Sequence, residues 1–321
     1  MERILITGST GLLGSALVRL LKQQGLNNEL ILLNSNTDLR DRSTVNHIFN
    51  KHMPTFIYHI AAKVGGLGAN MSGNADFFDD NVQINTNVLT AAAACEKTKK
   101  VCSVLSTCIY PDGVSLPILE NSLHKGEPHP SNFGYAYSKR MLDIQGKALN
   151  QKLGKVKFIT ATPNNMYGEN DNFSLTDGHV IPMVLHKLHL AKRNNQKQVE
   201  FWGDGSPLRQ FSYAEDVARD LVFLMEHNKS QDTINIGNYE EYSIKTLVML
   251  IKELIGYNGK LVWNSDMPNG QLKKTASTKL FETLYASILN EEPKYHTLEE
   301  GLKKTLDWFI SNYPNVRGAV R

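Results

Sequence analysis

Residues 3–21 read RILITGSTGLLGSALVRLL, an apolar β-prone run followed by a glycine-containing turn and an amphipathic run. Gly8, Gly11 and Gly14 would permit a tight turn and a close approach of the backbone to a pyrophosphate, whose charge the N-terminus of the following helix stabilises. The spacing is Gly-x-x-Gly-x-x-Gly rather than Gly-x-Gly-x-x-Gly. The stretch predicts strand, turn and helix, and it favours a dinucleotide site, with an ordinary strand–helix turn as the alternative.

Beyond this stretch, apolar strand-like runs alternate with helical patterns. The strand-like runs lie at 30–33, 55–60, 101–105, 155–162 and 233–237. Such alternation predicts an α/β fold, here a Rossmann-type doubly wound parallel sheet of six or more strands with helices on both faces. The pattern becomes irregular after Gly168, which predicts a smaller C-terminal α/β substrate domain. We expect two domains, 1–163 plus about 211–238 for the dinucleotide and 164–210 with 239–321 for the substrate.

Composition limits the classes of function. The net charge of +3 is too small to argue for nucleic acid or an anionic membrane as a partner, and no apolar run reaches transmembrane length. The cysteines, Cys95, Cys102 and Cys108, lack metal-ligand spacing, so we expect no metal. The first residues show no signal-peptide pattern. A reducing, cytoplasmic compartment is therefore expected.

The end of the second predicted strand normally meets the adenosine ribose, where an acidic residue favours NAD and a basic one NADP. Residues 34–36 are Asn-Ser-Asn, which offers no carboxylate to repel a 2′-phosphate and offers donors to bind one. The residues thus favour NADP. Asp38 and Leu39 could edge the adenine and Arg40 could contact a phosphate, although turn chemistry would explain each equally well.

A second stretch carries candidate chemistry. The strand at 101–105 ends in Ser106, and Tyr135 and Lys139 lie four residues apart, on one face of a helix. An ammonium beside a phenol favours the phenolate, so Tyr135 could exchange a proton nearer to neutral pH. The hydroxyl at the strand exit could polarise a carbonyl group. A surface tyrosine and a solvated lysine are the alternative.

Together these motifs resemble the extended short-chain dehydrogenase/reductases, and more closely the GDP-L-fucose synthases. The closer resemblance is carried by six segments: Ala61–Gly66, Ser106–Pro111, Asn132–Tyr135, Asp171–Phe173, Gly178–Pro182 and Gln271–Lys274. It covers about residues 3 to 313. It implies NADP(H) as cofactor and a bifunctional 3,5-epimerase and 4-reductase that converts GDP-4-keto-6-deoxy-D-mannose to GDP-L-fucose.

The resemblance also implies roles for single residues. A C4 ketone acidifies the protons on C3 and C5, and a thiol and an imidazole, here Cys108 and His179, suit their removal and return. Alone, these two would be a buried thiol and a loop histidine. Ser106 would orient the C4 oxygen, Tyr135 would protonate it, and Lys139 would lower the pKa of Tyr135 and hold the nicotinamide ribose.

The implied binding residues form two sets. The substrate set is Asn165, Lys187, Trp202, Arg209 and Asn269, the last of which stands where the family usually has Asp. The cofactor set is Gly8, Ser9, Thr10, Gly11, Leu12, Leu13, Gly14, Asn34, Asp38, Leu39, Ala61, Ala62, Lys63, Leu105, Ser106, Tyr135, Lys139, Pro163, Asn164, Asn165, Met166 and His179. Family arginines are absent at Thr10, Asn34 and Asn36, so the resemblance is the main basis for NADP.

Other functions remain open at this point. A 4,6-dehydratase, a 4-epimerase or a related epimerase/reductase could act on another 4-keto-6-deoxy nucleotide sugar, although the first two need no Cys/His pair. A redox-sensing binding protein would typically lose the Tyr or the Lys. The predicted helices near 76–95 and 132–150 carry apolar residues beyond what one sheet face needs, and the family pairs such helices, so a homodimer is expected.

Overall fold

In the computed structural model, which describes residues 2–25, 28–66, 73–267, 269 and 271–319, the first strand lies inside a parallel sheet. The sheet has six strands in the order β2-β1-β3-β4-β5-β9, and all its pairs are parallel. Its strands are β1 (Arg3–Thr7), β2 (Glu29–Leu33), β3 (Phe56–His59), β4 (Lys100–Val104), β5 (Phe158–Pro163) and β9 (Ile234–Ile236). The predicted doubly wound sheet is confirmed.

Helices cover both faces of this sheet. The helices in the described ranges are α1 (Leu12–Gln23), α2 (Arg42–His52), α3 (Asn74–Ala94), α4 (Phe133–Leu153), α5 (Val180–Arg193), α6 (Ala214–His227), α7 (Ile244–Ile255), α8 (Lys279–Leu289) and α9 (Leu298–Asn312). One apolar core joins α1 and α6 to one face of the sheet, and another joins α2, α3 and α4 to the opposite face. Within the described chain, no helix is long and apolar enough to cross a membrane.

A third core lies apart from the sheet and is built by α5, α7 and α9. Two small sheets accompany it: β10 (Glu241–Ser243), β8 (Leu208–Tyr213) and β6 (Asn165–Tyr167) form one, and β11 (Lys260–Asn264) and β7 (Gln198–Trp202) form the other. The chain crosses back to the large sheet when α6 packs beside α1 and β9 pairs with β5. These elements explain the irregular pattern of the last third of the sequence.

The glycine loop requires two of its glycines for different reasons. Gly8 has φ +70°, a left-handed conformation that favours glycine, and a Cβ there would lie 3.1 Å from the Ala61 backbone. A Cβ on Gly14 would lie 2.0 Å from the carbonyl oxygen of Gly8. A Cβ on Gly11 would meet that oxygen at 3.5 Å, which is ordinary contact. The approach of α1 to the loop therefore depends on Gly14.

We expect Gly14→Ala to destabilise the protein by several kcal/mol, because the loop must move to admit the methyl group (overpacking costs about 1–3 kcal/mol or more). Helix propensity alone would predict a gain of about 1 kcal/mol. Gly11→Ala is the matched control and should change stability by less than about 1 kcal/mol. Urea denaturation without added ligand measures both, and equal stability of the two variants would refute the steric argument.

Candidate active site

The candidate site lies where the carboxyl ends of the parallel strands meet. β1 and β3 are neighbours in the sheet although β2 separates them along the chain, so the strand order reverses there. In open α/β sheets such a reversal opens the crevice in which ligands bind. Gly8, after β1, and Ala61, after β3, contact each other at this point. The predicted glycine loop and the small residues after β3 thus meet at one crevice.

The glycine loop has the features of an anion site. Gly11 is the N-cap of α1, and no side chain in the described parts of the chain caps that helix, so the N–H groups of its first turn can bind an anion. Thr10 is exposed beside it. Ser9 and Leu13 differ: Ser9 Oγ donates to the carbonyl oxygen of Leu33 at 3.0 Å, and Leu13 lies in the core. The N–H of Ser9 also donates to the Leu33 carbonyl, at 2.9 Å, so Ser9 is held to the end of β2 by both its backbone and its side chain.

Ion pairs stabilise the loop after β2. Arg40 Nε donates to Asp38 Oδ1 at 2.9 Å, and Arg40 Nη1 donates to Asp80 Oδ1 at 3.0 Å. Lys63 Nζ reaches the other oxygen of Asp80 at 2.7 Å. Asn34 accepts a turn hydrogen bond from Asn36, and Leu39 is buried in the core. Asp38, Asn34 and Arg40 therefore make turn contacts in this structure.

Two asparagines of α3 fix loops at the rim of the crevice. Asn81 Oδ1 accepts from the N–H of Lys63 at 2.8 Å, and its Nδ2 donates to the carbonyl of the same residue at 3.0 Å. Asn87 Nδ2 donates to the carbonyl oxygens of Leu39 and Arg40 at 3.1 and 2.8 Å. These side chains thus position the loops after β3 and β2.

A third asparagine of α3 belongs to a buried chain of hydrogen bonds. Thr7 Oγ1 accepts from the two backbone N–H groups that follow His59, so its proton goes to Nδ1 of His59, 3.0 Å away. His59 Nε2 then carries a proton and donates to Asn85 Oδ1 at 3.0 Å. Asn85 Nδ2 donates to the carbonyl oxygen of Ser138 in α4 at 2.9 Å. The chain joins β1, β3, α3 and α4.

Sequence reasoning placed Asn81, Asn85 and Asn87 in a helix and gave them no role. Asparagine is a poor helix former because its side chain competes for backbone hydrogen bonds. Three of them inside one helix were the signal that could have identified these contacts.

Ser106, Tyr135 and Lys139 come together where β4 ends against α4. Ser106 caps a short 3₁₀ helix at Thr107–Ile109 and hydrogen-bonds to Tyr135. Lys139 is buried, and its Nζ donates to the carbonyl oxygen of Val104 at 2.8 Å. The helical spacing of Tyr135 and Lys139 thus places both at the exit of β4, beside Leu105 and Ser106.

Burial governs the titration of this group. It raises the pKa of Tyr135, and the nearby Cys108 raises that pKa further. The hydrogen bond from Ser106 lowers it. Burial also lowers the pKa of Lys139 to about 8. Loss of hydration therefore disfavours the phenolate more than its neighbours favour it, and the expected effect of Lys139 on the pKa of Tyr135 stays a prediction.

Cys108 and His179 lie on different elements of the site. Cys108 is half-buried in the 3₁₀ helix and lies near enough to Tyr135 and Arg209 to affect the pKa of both. His179 is the N-cap of α5, with an exposed side chain whose Nδ1 is 3.9 Å from Asp171 Oδ1. Asp171 had no role in the sequence-based reasoning; its burial became visible only in the structure.

The residues that are expected to bind the substrate lie on the elements around the third core. Lys187 Nζ lies over the Phe201 ring, 5.0 Å from its centroid, and donates to the Glu200 carbonyl at 2.6 Å. Trp202 is 65% exposed at the end of β7. Burial lowers the pKa of Arg209, whereas the nearby Cys108 raises it.

Three asparagine side chains lie on the same side of the site. Asn269 Oδ1 accepts from the N–H of Asp204 at 2.8 Å, so the position that differs from the family also joins two segments that are far apart in the sequence. After Pro163, Asn164 is buried and its amide is bonded to Asn238 and Ser212. Asn165 is exposed, with Nδ2 donating to the Gln210 carbonyl at 2.8 Å, and Met166 packs on the core.

The chain is similar to proteins of a known family over nearly its whole length. Residues 4–237 match the model of the "NAD dependent epimerase/dehydratase family". The "GDP-L-fucose synthase" of Dictyostelium discoideum is 39% identical over 98% of this chain and 97% of its own, and the "Probable GDP-L-fucose synthase 1" of Oryza sativa subsp. japonica is 38% identical over 97% and 92%. The crystal structure of a GDP-L-fucose synthetase from Naegleria fowleri bound to NADP is 37% identical with a TM-score of 0.90, over 98% and 96% of the two chains.

The buried His59 predicts a loss of stability in acid. Burial lowers its pKa to about 3, whereas an unfolded histidine titrates near about 6.5. The unfolded state therefore binds the proton first, so this contribution is complete above about pH 6.5 and is lost as the pH falls towards 3, by up to about 1.4 kcal/mol per unit. Chemical denaturation at pH 7, 6 and 5 should show a shallower pH dependence for His59→Gln than for wild type. The exposed His47→Gln is the control, and identical slopes for wild type and His59→Gln would contradict the assignment.

Proposed function

Because the chain belongs to the NAD dependent epimerase/dehydratase family, and within it to the GDP-L-fucose synthases, we propose that it converts GDP-4-keto-6-deoxy-D-mannose to GDP-L-fucose. It is an NADP-dependent oxidoreductase and epimerase. The observation that carries the proposal is the meeting of Ser106, Cys108, Tyr135 and Lys139 at the end of β4, beside Arg209. This group offers separate residues for carbon acid–base chemistry and for protonation of a carbonyl oxygen.

The residues at the strand reversal fit NADP(H). Gly8 and Gly14 leave no room for side chains, and the uncapped first turn of α1 faces the crevice with N–H groups. When bound, NADPH supplies the hydride that reduces C4 of the sugar. Arg40 and Lys63, at the rim, are the cations that could meet a 2′-phosphate after exchanging one of their carboxylate partners.

Reduction needs a proton on the C4 oxygen. The raised pKa of Tyr135 keeps its phenol protonated at neutral pH, so the hydroxyl can donate that proton. Ser106, which is hydrogen-bonded to Tyr135, orients the same oxygen. Lys139 is fixed by the Val104 carbonyl, and its lowered pKa fits a role in returning a proton to the phenol.

Inversion at C3 and C5 needs a base and an acid. The thiolate of Cys108 removes the proton from carbon, and the C–H electron pair moves into the enolate formed with the C4 ketone. The imidazolium of His179 gives its Nε2 proton to the opposite face of that carbon, and solvent then restores both groups. Arg209, next to Cys108, would bind the diphosphate, with Lys187, Trp202, Asn165 and Asn269 holding the rest of the nucleotide.

The proposed division of labour follows the cores. Residues 1–163 with about 211–238 would bind NADP(H), and residues 164–210 with 239–321 would bind the sugar nucleotide. This is supported by the sheet cores of the first group and the third core of the second, while α8 of the second group packs on a sheet core through Phe281. The free thiols of Cys95, Cys102 and Cys108 suit the cytoplasmic location that we propose.

The helices α3 and α4 support a homodimer. They pack against each other on the sheet and still leave Phe78, Phe133 and Ile144 exposed at 40%, 50% and 57%. A groove at these residues is also lined by Val82 and Met141. Contiguous exposed apolar side chains mark interaction sites, and we propose that a second copy of the chain covers them.

Substitution should separate the two chemistries. Cys108→Ser should stop deuterium incorporation at C3 and C5 and leave a slow NADPH-dependent reduction of the uninverted ketone. Tyr135→Phe should lower NADPH oxidation by about 10²–10⁴-fold while the carbons still exchange. Both are measured on recovered sugar nucleotide, with the remote thiol variant Cys95→Ser as control. Wild-type exchange at both carbons by Cys108→Ser would sink the assignment of the base.

The assembly can be tested through the exposed helical face. Ile144→Glu places a charge on α4 and should convert a dimer into a monomer in light scattering at micromolar concentration. Met249→Glu, on an exposed position of α7 that is 55% exposed, is the matched control and should leave the mass unchanged. A wild-type protein that already has the mass of a monomer would refute the proposal.

A further inference from the structure

The loop between β6 and α5 contains a buried carboxylate beside an exposed histidine. The side chain of Asp171 is 5% exposed and that of His179 is 53% exposed, with 3.9 Å between Oδ1 and Nδ1. Oδ1 accepts from the N–H of Asn172 at 2.7 Å. Oδ2 is buried and has no hydrogen-bond partner among the residues described. Buried carboxylate oxygens are normally bonded, so this carboxylate has capacity for a further donor.

We propose that Asp171 is the positioning residue of His179: it binds the Nδ1 proton, directs Nε2 towards the sugar, and keeps the imidazole cationic for proton donation. The inference rests on the proposed function, which makes His179 the acid of the inversion. A carboxylate at Nδ1 fixes the tautomer of an imidazole in the same way in other acid–base sites. The distance of 3.9 Å is longer than a hydrogen bond, and catalytic hydrogen bonds often tighten only when substrate binds.

The carboxylate is held in place from both sides of the loop. Phe173, two residues later, is fully buried against Phe309, and its N–H donates to the carbonyl of Arg317 at 2.8 Å. On the other side, the N–H of Gly66 donates to the carbonyl of Asp177 at 3.0 Å. The loop cannot move without disturbing these contacts, so Asp171 offers a fixed partner to the exposed ring of His179.

The surroundings show why His179 needs this partner. Its position at the N-cap of α5 disfavours a cation, because the helix dipole is positive there. Asp171 raises the pKa of His179, whereas Arg317 from the C-terminal segment lowers it. The same loop carries two further carboxylates: Asp177, which is exposed, and Glu169, which pairs with Arg19 at 2.7 Å. Without Asp171 the helix dipole and Arg317 would both favour the neutral ring, which carries a proton on only one of its two nitrogens.

The decisive variant is Asp171→Asn, which keeps an acceptor for the Asn172 N–H and removes the charge. Asp177→Asn is the matched control, since it removes a carboxylate from the same loop. NMR titration of the imidazole carbons, with the His179 signal identified by its loss in His179→Gln, should show a lower pKa in Asp171→Asn and an unchanged one in Asp177→Asn. The alkaline limb of the pH profile for deuterium incorporation at C3 and C5 should shift by the same amount, while NADPH affinity stays constant.

The outcomes separate this inference from the proposed function. If His179→Gln exchanges deuterium like wild type, the role of His179 fails, whatever Asp171 does. If His179→Gln loses exchange but the titration and pH profile of Asp171→Asn match wild type, the positioning role is overturned. Should Asp171→Asn lose NADPH binding and cooperative unfolding, Asp171→Ser, which also keeps an acceptor, decides by the same two measurements. An unshifted His179 titration in that variant refutes the proposal equally.

Discussion

The hydrogen bonds of Asn85 connect the two sides of the site. Its Oδ1 accepts from His59 on β3, and its Nδ2 donates to the Ser138 carbonyl on α4. Parallel strands end at the crevice without a neighbour to bind their last residues, so side chains must fix the loops there. Asn85 fixes the cofactor side relative to the helix of Tyr135 and Lys139. The hydrogen bonds from Thr7 through His59 and Asn85 to Ser138 are buried, and each polar group in them has a partner. Loss of one of these bonds would therefore affect the others.

Burial shifts the pKa values of Tyr135 and Lys139, the two titratable residues proposed for reduction, in opposite directions. It raises the pKa of the Tyr135 phenol and lowers that of the Lys139 ammonium to about 8, because each charged form loses hydration. Both shifts favour neutral groups near physiological pH. A neutral phenol is a proton donor, which is what a carbonyl reduction requires. The desolvation of the site thus favours the protonation state that the proposed role of Tyr135 requires.

The site is assembled from both halves of the chain. Arg209 on β8 belongs to the side of the third core, yet it lies near Cys108 at the end of β4. His179 comes from the start of α5 and depends on a loop held by Phe173 and Arg317. Substrate chemistry in this protein therefore depends on how the third core sits against the sheet, which no single element determines.

The sequence by itself determined the parallel sheet, the glycine turn and the placement of Tyr135 and Lys139 on one helix face. Strand periodicity, glycine spacing and helical spacing are local properties. The burial of Ser9, Leu13 and Asp171, the turn contact of Asp38, the contact of Asn269 with Asp204, and the hydrogen bonds of Asn81 and Asn85 were decided only by the tertiary structure. The direction of the Tyr135 pKa shift was likewise beyond the sequence. Hydration and long-range partners depend on residues far apart in the chain, and a linear pattern does not record which of them meet.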